Sequence, residues 1–273
     1  MLLGLAGTSV VVYLWAFVTY GNVLDGAQAI ARPGLLQLLV GGPAQVIGFL
    51  FATWVIGVRA LGLGRAQLRW MPVRIGARGF GLGLALGAAT GVVALLASVI
   101  FAGSGWSQDA GSFGHYLLQV AKTTLVLAPP AFSEELMFRG LPLVLLALAV
   151  GRGTALVTVA GVIFALFHAR NPDVTMLGLG NIALAGVFLG VAFYAPGGIW
   201  TAFGAHLGWN ATLAGLDAPV SGMPFTIPFL NYHAGEPVWL SGGRFGPEGG
   251  LLATLAITAA LLVAARWTRK DST

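Results

Sequence analysis

The sequence contains no cysteine, and only 8% of its 273 residues are charged. The lack of cysteine excludes disulfides and thiolate chemistry. An ordinary soluble domain has about a quarter charged residues, whereas 57% of this chain is hydrophobic and its mean hydropathy is +0.87. This composition is typical of an integral membrane protein that crosses the bilayer several times.

Long, nearly charge-free tracts recur along the chain, and each is long enough to cross about 30 Å of hydrocarbon as a helix. Alternating strand-like patterning is absent, which argues against a transmembrane barrel. The sequence therefore predicts an all-α fold, a polytopic transmembrane bundle of about eight helices, with residues 1–273 in a single membrane domain. The predicted helices cover about 1–20, 36–63, 79–102, 115–150, 154–168, 175–194, 198–216 and 251–267.

The basic residues are few, although the net charge is +5 and the isoelectric point is near 10.1. They lie between apolar tracts, as charges that orient membrane helices do, so nucleic acid is not an expected partner. The densest basic segment, residues 64–78, is predicted to face the cytoplasm. Residues 1–20 lack a basic leading segment and are predicted to be a retained anchor rather than a cleaved signal.

The tract from 115 to 150 is about 54 Å long as one straight helix, which exceeds the thickness of a bilayer. Pro129 and Pro130 are the predicted interruption, because each ring removes a backbone donor and disfavours helix at the preceding residue. A new helix would then begin at Ser133, which would act as its cap. That start places the next two residues, both glutamates, in a first turn, where the helix dipole favours carboxylates.

Two carboxylates and a guanidinium lie within this apolar tract, at Glu134, Glu135 and Arg139. Each ionisable residue at the centre of a membrane helix costs about 2.5–3.5 kcal/mol, so these side chains are predicted to face a polar interior pocket rather than lipid. Glu135 and Arg139 have the i,i+4 spacing at which an acid and a base pair on a helix. Glu134 is rotated by about 100° around the helix from Glu135, so it points elsewhere and is the candidate for a catalytic role.

His168 lies about 16 residues after the turn at 151–153, and Glu134 lies about 17 residues before it. In an antiparallel helix pair the two side chains would reach the same depth, where they could take a proton from water. His206 and Asn210 are four residues apart and so share one helix face. Their N–H groups suit the stabilisation of an oxyanion.

Structural roles compete with each of these assignments. Glu134 could bridge helices as a buried carboxylate, and Arg139 is expected to be structural rather than catalytic. The two histidines, at 168 and 206, and Asn210 could make ordinary interhelical hydrogen bonds. A zinc site of Glu134, His168 and His206 is a further alternative, although we expect a metal-independent site with no cofactor.

The motifs of several well-known hydrolase sites are absent from the sequence. There is no HExxH motif, no aspartate within a predicted helix, and no G-x-S-x-G motif.

Residues 217–250 differ in composition from the apolar tracts, because they are rich in glycine, proline and aromatic residues. Aromatic rings suit the headgroup region, so this segment is predicted to be a structured interfacial loop or lid.

Three motifs occur in order along the chain: EExxxR at 134–139, FxxxH at 164–168 and HxxxN at 206–210. With these motifs on a multi-helix chain, the sequence resembles the CPBP family, the CAAX protease and bacteriocin-processing group that is also called Abi or Rce1-like. The resemblance covers about 80 residues, from 131 to 210. We assign the catalytic core to 114–216.

The resemblance implies an intramembrane glutamic endopeptidase, a hydrolase that cuts a membrane-associated peptide or protein. It also implies a multi-pass protein of a bacterial cytoplasmic membrane. The roles carried over are activation of water by Glu134 and His168, oxyanion stabilisation by His206 and Asn210, and support of the site by Glu135 and Arg139.

Two functions of other classes remain open on the sequence. A non-catalytic membrane scaffold or bacteriocin-immunity protein would bind a peptide without cutting it. Buried glutamate and histidine also form proton relays, so a proton- or ion-coupled transporter is the other alternative.

Overall fold

A computed structural model of the chain describes residues 1–31, 34–151 and 153–269. Most of these residues are helical, and the predicted all-α class is confirmed. A two-stranded antiparallel ribbon pairs β1 (Gly105–Gln108) with β2 (Leu230–His233). The helices are α1 (Leu2–Tyr20), α2 (Val23–Ala31), α3 (Gly42–Ala52), α4 (Val73–Ala102), α5 (Phe113–Phe138), α6 (Leu141–Val150), α7 (Thr154–Phe167), α8 (Met176–Phe193), α9 (Ile199–Gly215), α10 (Val238–Ser241) and α11 (Leu251–Arg269).

Several helical segments have the length and composition needed to cross a membrane. Large apolar side chains on them are exposed, including Val18 and Ile100, and a soluble protein rarely exposes extensive apolar surface. These features support a multi-pass integral membrane protein. The segments are Leu2–Tyr20, Gln37–Ala60, Val73–Ala102, Met176–Phe193 and Leu251–Thr268.

Several helix ends follow directly from local sequence. Gly21 and Gly103 end α1 and α4 in the left-handed conformation, with φ of 67° and 71°, which glycine adopts without the steric cost of a side chain. Thr175 begins α8, and its hydroxyl accepts a hydrogen bond from the backbone N–H of Gly178 at 3.0 Å. This contact satisfies one of the N–H groups that the first turn leaves without an intrahelical partner.

The chain divides into two compact units. The first comprises Met1–Trp70 and Val126–Arg152, and the second comprises Met71–Leu125 and Gly153–Thr273. In the first unit α1 packs against α3, and a Cβ at Gly7 would lie 3.1 Å from the Cα of Gly48. Small residues let the two backbones approach closely there, as is usual where membrane helices cross.

The predicted end of a helix at Pro129 and Pro130, with a new start at Ser133, is wrong. Helix α5 continues through both prolines to Phe138, and Ser133 lies within it, where its hydroxyl donates to the carbonyl of Pro130 at 2.8 Å. A proline removes only its own N–H, and packing of a neighbouring helix can compensate for that loss. Here the ring of Pro130 lies against Gly42, which has no side chain to obstruct it.

Helix α5 ends instead at the residues that follow the glutamates. The N–H groups of Arg139 and Gly140 both donate to the carbonyl of Glu135, at 2.9 and 2.8 Å. Gly140 then precedes α6 with φ of −62° and ψ of −127°, outside the helical range. The acidic pair is therefore in the last turn of a helix. The prediction that it lies in a first turn is wrong.

The predicted loop between the first two membrane segments contains α2. The carboxamide oxygen of Asn22 accepts a hydrogen bond from the N–H of Leu24 at 2.8 Å, and Gly26 lies against Ala16 of α1. This capping contact and the packing stabilise a short helix that local sequence does not indicate. Arg32 and Pro33 of the predicted loop, like Arg152 of the predicted turn, lie outside the described residues.

In the second unit α4 and α9 pack backbone to backbone. A Cβ at Gly83 or Gly87 of α4 would overlap a carbonyl oxygen of α9, and a Cβ at Gly204 or Gly208 of α9 would overlap one of α4. The four glycines thus form two matching stripes at the contact. Such close approach maximises van der Waals packing, which stabilises helix pairs in a membrane.

We expect Gly208→Ala to lower the thermal unfolding midpoint in detergent. The new methyl group would meet the carbonyl oxygen of Leu84, and overpacking of this kind costs about 1–3 kcal/mol. Gly81→Ala, on α4 where a Cβ would meet nothing within 4 Å, is the matched control and should be neutral or stabilising. Equal midpoints for the two variants would contradict the close contact.

The ribbon is fastened to the end of α9. The indole N–H of Trp106 on β1 donates to the carbonyl of Leu216 at 2.6 Å. The carboxylate of Asp217 accepts hydrogen bonds from the N–H groups of Ile227 and Tyr232, both at 3.0 Å. Strands of only four residues are too short to give a clear signal in a sequence, so the ribbon was not predicted.

Candidate active site

The acidic motif occupies the last turn of α5, in the first unit. Glu135 and Arg139 are fully buried, with 0% of each side chain exposed, and Nη1 of Arg139 donates to Oε1 of Glu135 at 2.9 Å. The i,i+4 ion pair predicted from the spacing is confirmed. Removing either charge would leave the other uncompensated in a buried site.

This position reverses the expected effect of the helix dipole. The carbonyl end of a helix carries a partial negative charge and disfavours carboxylates. For Glu135, the positive charge of the Arg139 guanidinium compensates for this unfavourable effect of the dipole, because the guanidinium is hydrogen-bonded to the Glu135 carboxylate. Glu134 is half-buried on the same turn, about 100° around the helix from Glu135.

His168 directly follows α7, in the second unit. Its Nδ1 lies 2.8 Å from the carbonyl oxygen of Phe164, and a carbonyl oxygen can only accept a hydrogen bond. In a neutral imidazole this contact assigns the proton to Nδ1 and makes Nε2 the basic nitrogen. The turn that ends α7 therefore selects the tautomer of His168.

His206 and Asn210 lie on α9, and the helix confirms their predicted position on one face. His206 is buried and Asn210 is half-buried. The ring of Phe164 lies 4.6 Å from the ring of His168 and 6.0 Å from that of His206, in the second case edge to face at 87°. Phe164 therefore brings the imidazoles of α7 and α9 to one aromatic ring.

Only some of the predicted site residues come together within one compact unit. The second unit groups His168 with His206 around Phe164, and Asn210 lies one helical turn after His206 on α9. The meeting of Glu134 with these groups stays a prediction. Among the residues that the structure describes, no cluster of three or more histidine, aspartate or glutamate side chains could hold a metal ion.

A further buried acid lies beside the HxxxN motif. Glu248 is 8% exposed, and its Oε1 accepts the indole N–H of Trp209 at 2.9 Å. Glu248 lies within 217–250, the segment predicted to be an interfacial loop or lid. The sequence around Glu248 is rich in proline and glycine and shows no helical or strand periodicity. No local signal therefore predicts the contact between Glu248 and Trp209 of α9.

Comparison with known proteins provides one match. Residues 114–212 are similar to the family model described as type II CAAX prenyl endopeptidase Rce1-like. This range contains all three motifs. No curated protein and no solved structure matches the chain.

Proposed function

We propose, from the similarity of residues 114–212 to the Rce1-like family model, that the chain is an intramembrane glutamic endopeptidase. Its substrate would be a membrane-associated peptide or protein, and water would be the nucleophile. The observation that supports this most directly is the grouping of two motif histidines around Phe164, with the basic nitrogen of one of them assigned by a backbone contact.

In the proposed reaction Glu134 and His168 activate the water. The proton leaves water for this pair as the oxygen attacks the carbonyl carbon of the peptide bond. The same proton is then delivered to the departing amine nitrogen as the carbon–nitrogen bond breaks. A neutral His168 with its lone pair on Nε2 suits the first step, and the protonated ring suits the second.

His206 and Asn210 stabilise the negative charge that develops on the carbonyl oxygen. Both are donors on one face of α9, and burial of His206 in an apolar setting strengthens its interaction with charge. Helix α9 is itself held against α4 by the glycine stripes, so the donors are carried on a rigid element. Rigid donors need no reorganisation when the charge forms.

We expect Asn210→Ala to lower kcat by about 10²–10³-fold, because one oxyanion donor is typically worth that much. KM should change little, since the ground-state carbonyl carries less charge than the oxyanion. Purified enzyme in liposomes provides the measurement, with Asn231→Ala on the exposed ribbon as the control. An effect confined to KM would show that Asn210 binds substrate and does not stabilise the oxyanion.

The experiment that tests the function is mass spectrometry of membrane-associated peptides from cells that express wild-type protein or Glu134→Ala. Fragments that accumulate only with wild type would identify substrates and cleavage positions. Identical peptide populations would contradict the proposed activity. Dialysis against a chelator should leave activity unchanged, and a loss that zinc restores would replace the proposed chemistry with a metal-dependent one.

A further inference from the structure

Glu248 is the only acid among the described residues of 217–250 that is buried. Its Oε1 accepts from the indole N–H of Trp209 at 2.9 Å, and its Oε2 accepts from both the hydroxyl of Ser221, at 2.8 Å, and the backbone N–H of the same residue. All three partners are donors. A carboxylate with both oxygens acting as acceptors fits this set, whereas an amide would present a donor to one side of it.

The backbone around Glu248 is fastened independently of its side chain. The carboxamide nitrogen of Asn181 on α8 donates to the carbonyl oxygens of Glu248 and Gly250, at 2.8 and 2.9 Å. The hydroxyl of Thr254 on α11 donates to the carboxamide oxygen of Asn181 at 2.6 Å. Glu248 is therefore held in place by α8 and α11, and it can serve as a fixed point for α9.

Trp209 lies between the two proposed oxyanion donors in sequence and beside them on the helix. In an ideal helix Asn210 is rotated by about 40° from His206, and Trp209 by about 60° in the opposite direction. Gly204 and Gly208, which pack on α4, lie on the opposite side. Glycine contacts with α4 therefore hold α9 on the side opposite His206, and the Trp209 indole holds it on an adjacent side. Together these contacts restrict rotation of α9 about its axis.

We propose that Glu248 is a positioning residue for peptide hydrolysis. By binding the Trp209 indole it fixes the rotation of α9, and so the direction in which His206 and Asn210 present their N–H groups to the oxyanion. This inference rests on the proposed function. It also gives segment 217–250 a structural role, because the C-terminal end of the segment braces the helix that carries the HxxxN motif.

The first test is Glu248→Gln, which keeps the size of the side chain but replaces one acceptor oxygen with a donor. We expect kcat to fall by about 10-fold or more, because a small misplacement of catalytic groups can cost up to about 10²-fold. KM should stay within about two-fold. Glu236→Gln, an exposed acid of the same segment, is the matched control and should behave as wild type.

A double-mutant cycle separates positioning from a general loss of structure. Trp209→Phe removes the indole donor and keeps an aromatic ring, so it should lower kcat as Glu248→Gln does. The double variant should be no slower than the single ones, because both act through the same contact. Multiplied effects would overturn the inference. If Glu248→Gln does not fold, Trp209→Phe carries the test by itself, and an unchanged kcat overturns the inference.

Nuclear magnetic resonance provides a measurement that does not depend on turnover. The chain has eight tryptophans, and Trp209→Phe identifies the indole signal of Trp209. In Glu248→Gln we expect this signal to move together with the side-chain amide signals of Asn210 and the ring signals of His206. If only the indole moves, Glu248 does not position the donors. Identical peptides from wild type and Glu134→Ala would instead contradict the proposed function, whatever the spectra show.

Discussion

Replacement of Glu134 by alanine is expected to abolish peptide hydrolysis, and replacement of His168 is expected to do the same. Each change removes one of the two groups proposed to take a proton from water, and a positioned acid or base contributes about 10²–10⁴-fold to a rate. Because His168 also passes the proton to the departing amine in the proposed reaction, its loss affects both steps. Turnover of a reconstituted substrate, followed by mass spectrometry, measures the loss.

The control for this prediction is His115→Ala. His115 is an exposed histidine in the first turn of α5, and its removal should leave turnover unchanged. Both inactive variants should also insert and purify as wild type, which separates lost chemistry from lost folding. Retained turnover in Glu134→Ala or in His168→Ala would remove the proposed water-activating pair.

Replacement of Arg139 by methionine is expected to destabilise the first unit strongly. Arg139 and Glu135 are both fully buried and paired at 2.9 Å, and loss of one partner from a buried ion pair costs about 3–5 kcal/mol. The cost arises because the remaining carboxylate keeps its desolvation penalty without the opposite charge. Denaturant or thermal unfolding in detergent measures the change.

The double variant Glu135→Leu/Arg139→Met tests the reason for that cost. With both charges replaced by apolar side chains, no uncompensated group remains, so the double variant should be more stable than Arg139→Met. Arg65→Met, which alters an exposed arginine in the same unit, should change stability little. A double variant less stable than Arg139→Met would show that the pair contributes more than mutual neutralisation.

Local sequence predicted the features that depend on spacing along one helix. The pair of Glu135 and Arg139 follows from a separation of about one helical turn, and so does the shared face of His206 and Asn210. The all-α class follows from apolar tracts that can satisfy their backbone groups in lipid only as helices. None of these predictions needed a contact between distant parts of the chain.

The errors arose where packing outweighs a local signal. Pro129 and Pro130 are strong helix breakers in isolation, yet α5 continues through both of them, and Gly42 leaves room for the ring of Pro130. The helix ends at Phe138, so the acidic pair lies near the carbonyl end of the helix, and the predicted effect of the helix dipole on it had the wrong sign. Tertiary packing routinely overrides a local helix preference of this kind.

The sequence by itself determined that this chain is a helical membrane protein and that its acidic and histidine motifs lie in a region similar to the Rce1-like family model. Only the tertiary structure decided where α5 ends, which nitrogen of His168 is basic and that Glu248 braces Trp209. The physical reason is the distance along the chain over which each feature is determined. Helical periodicity relates residues three or four positions apart, whereas Glu248 and Trp209 are 39 residues apart in the chain. Such a contact exists only once the helices have packed.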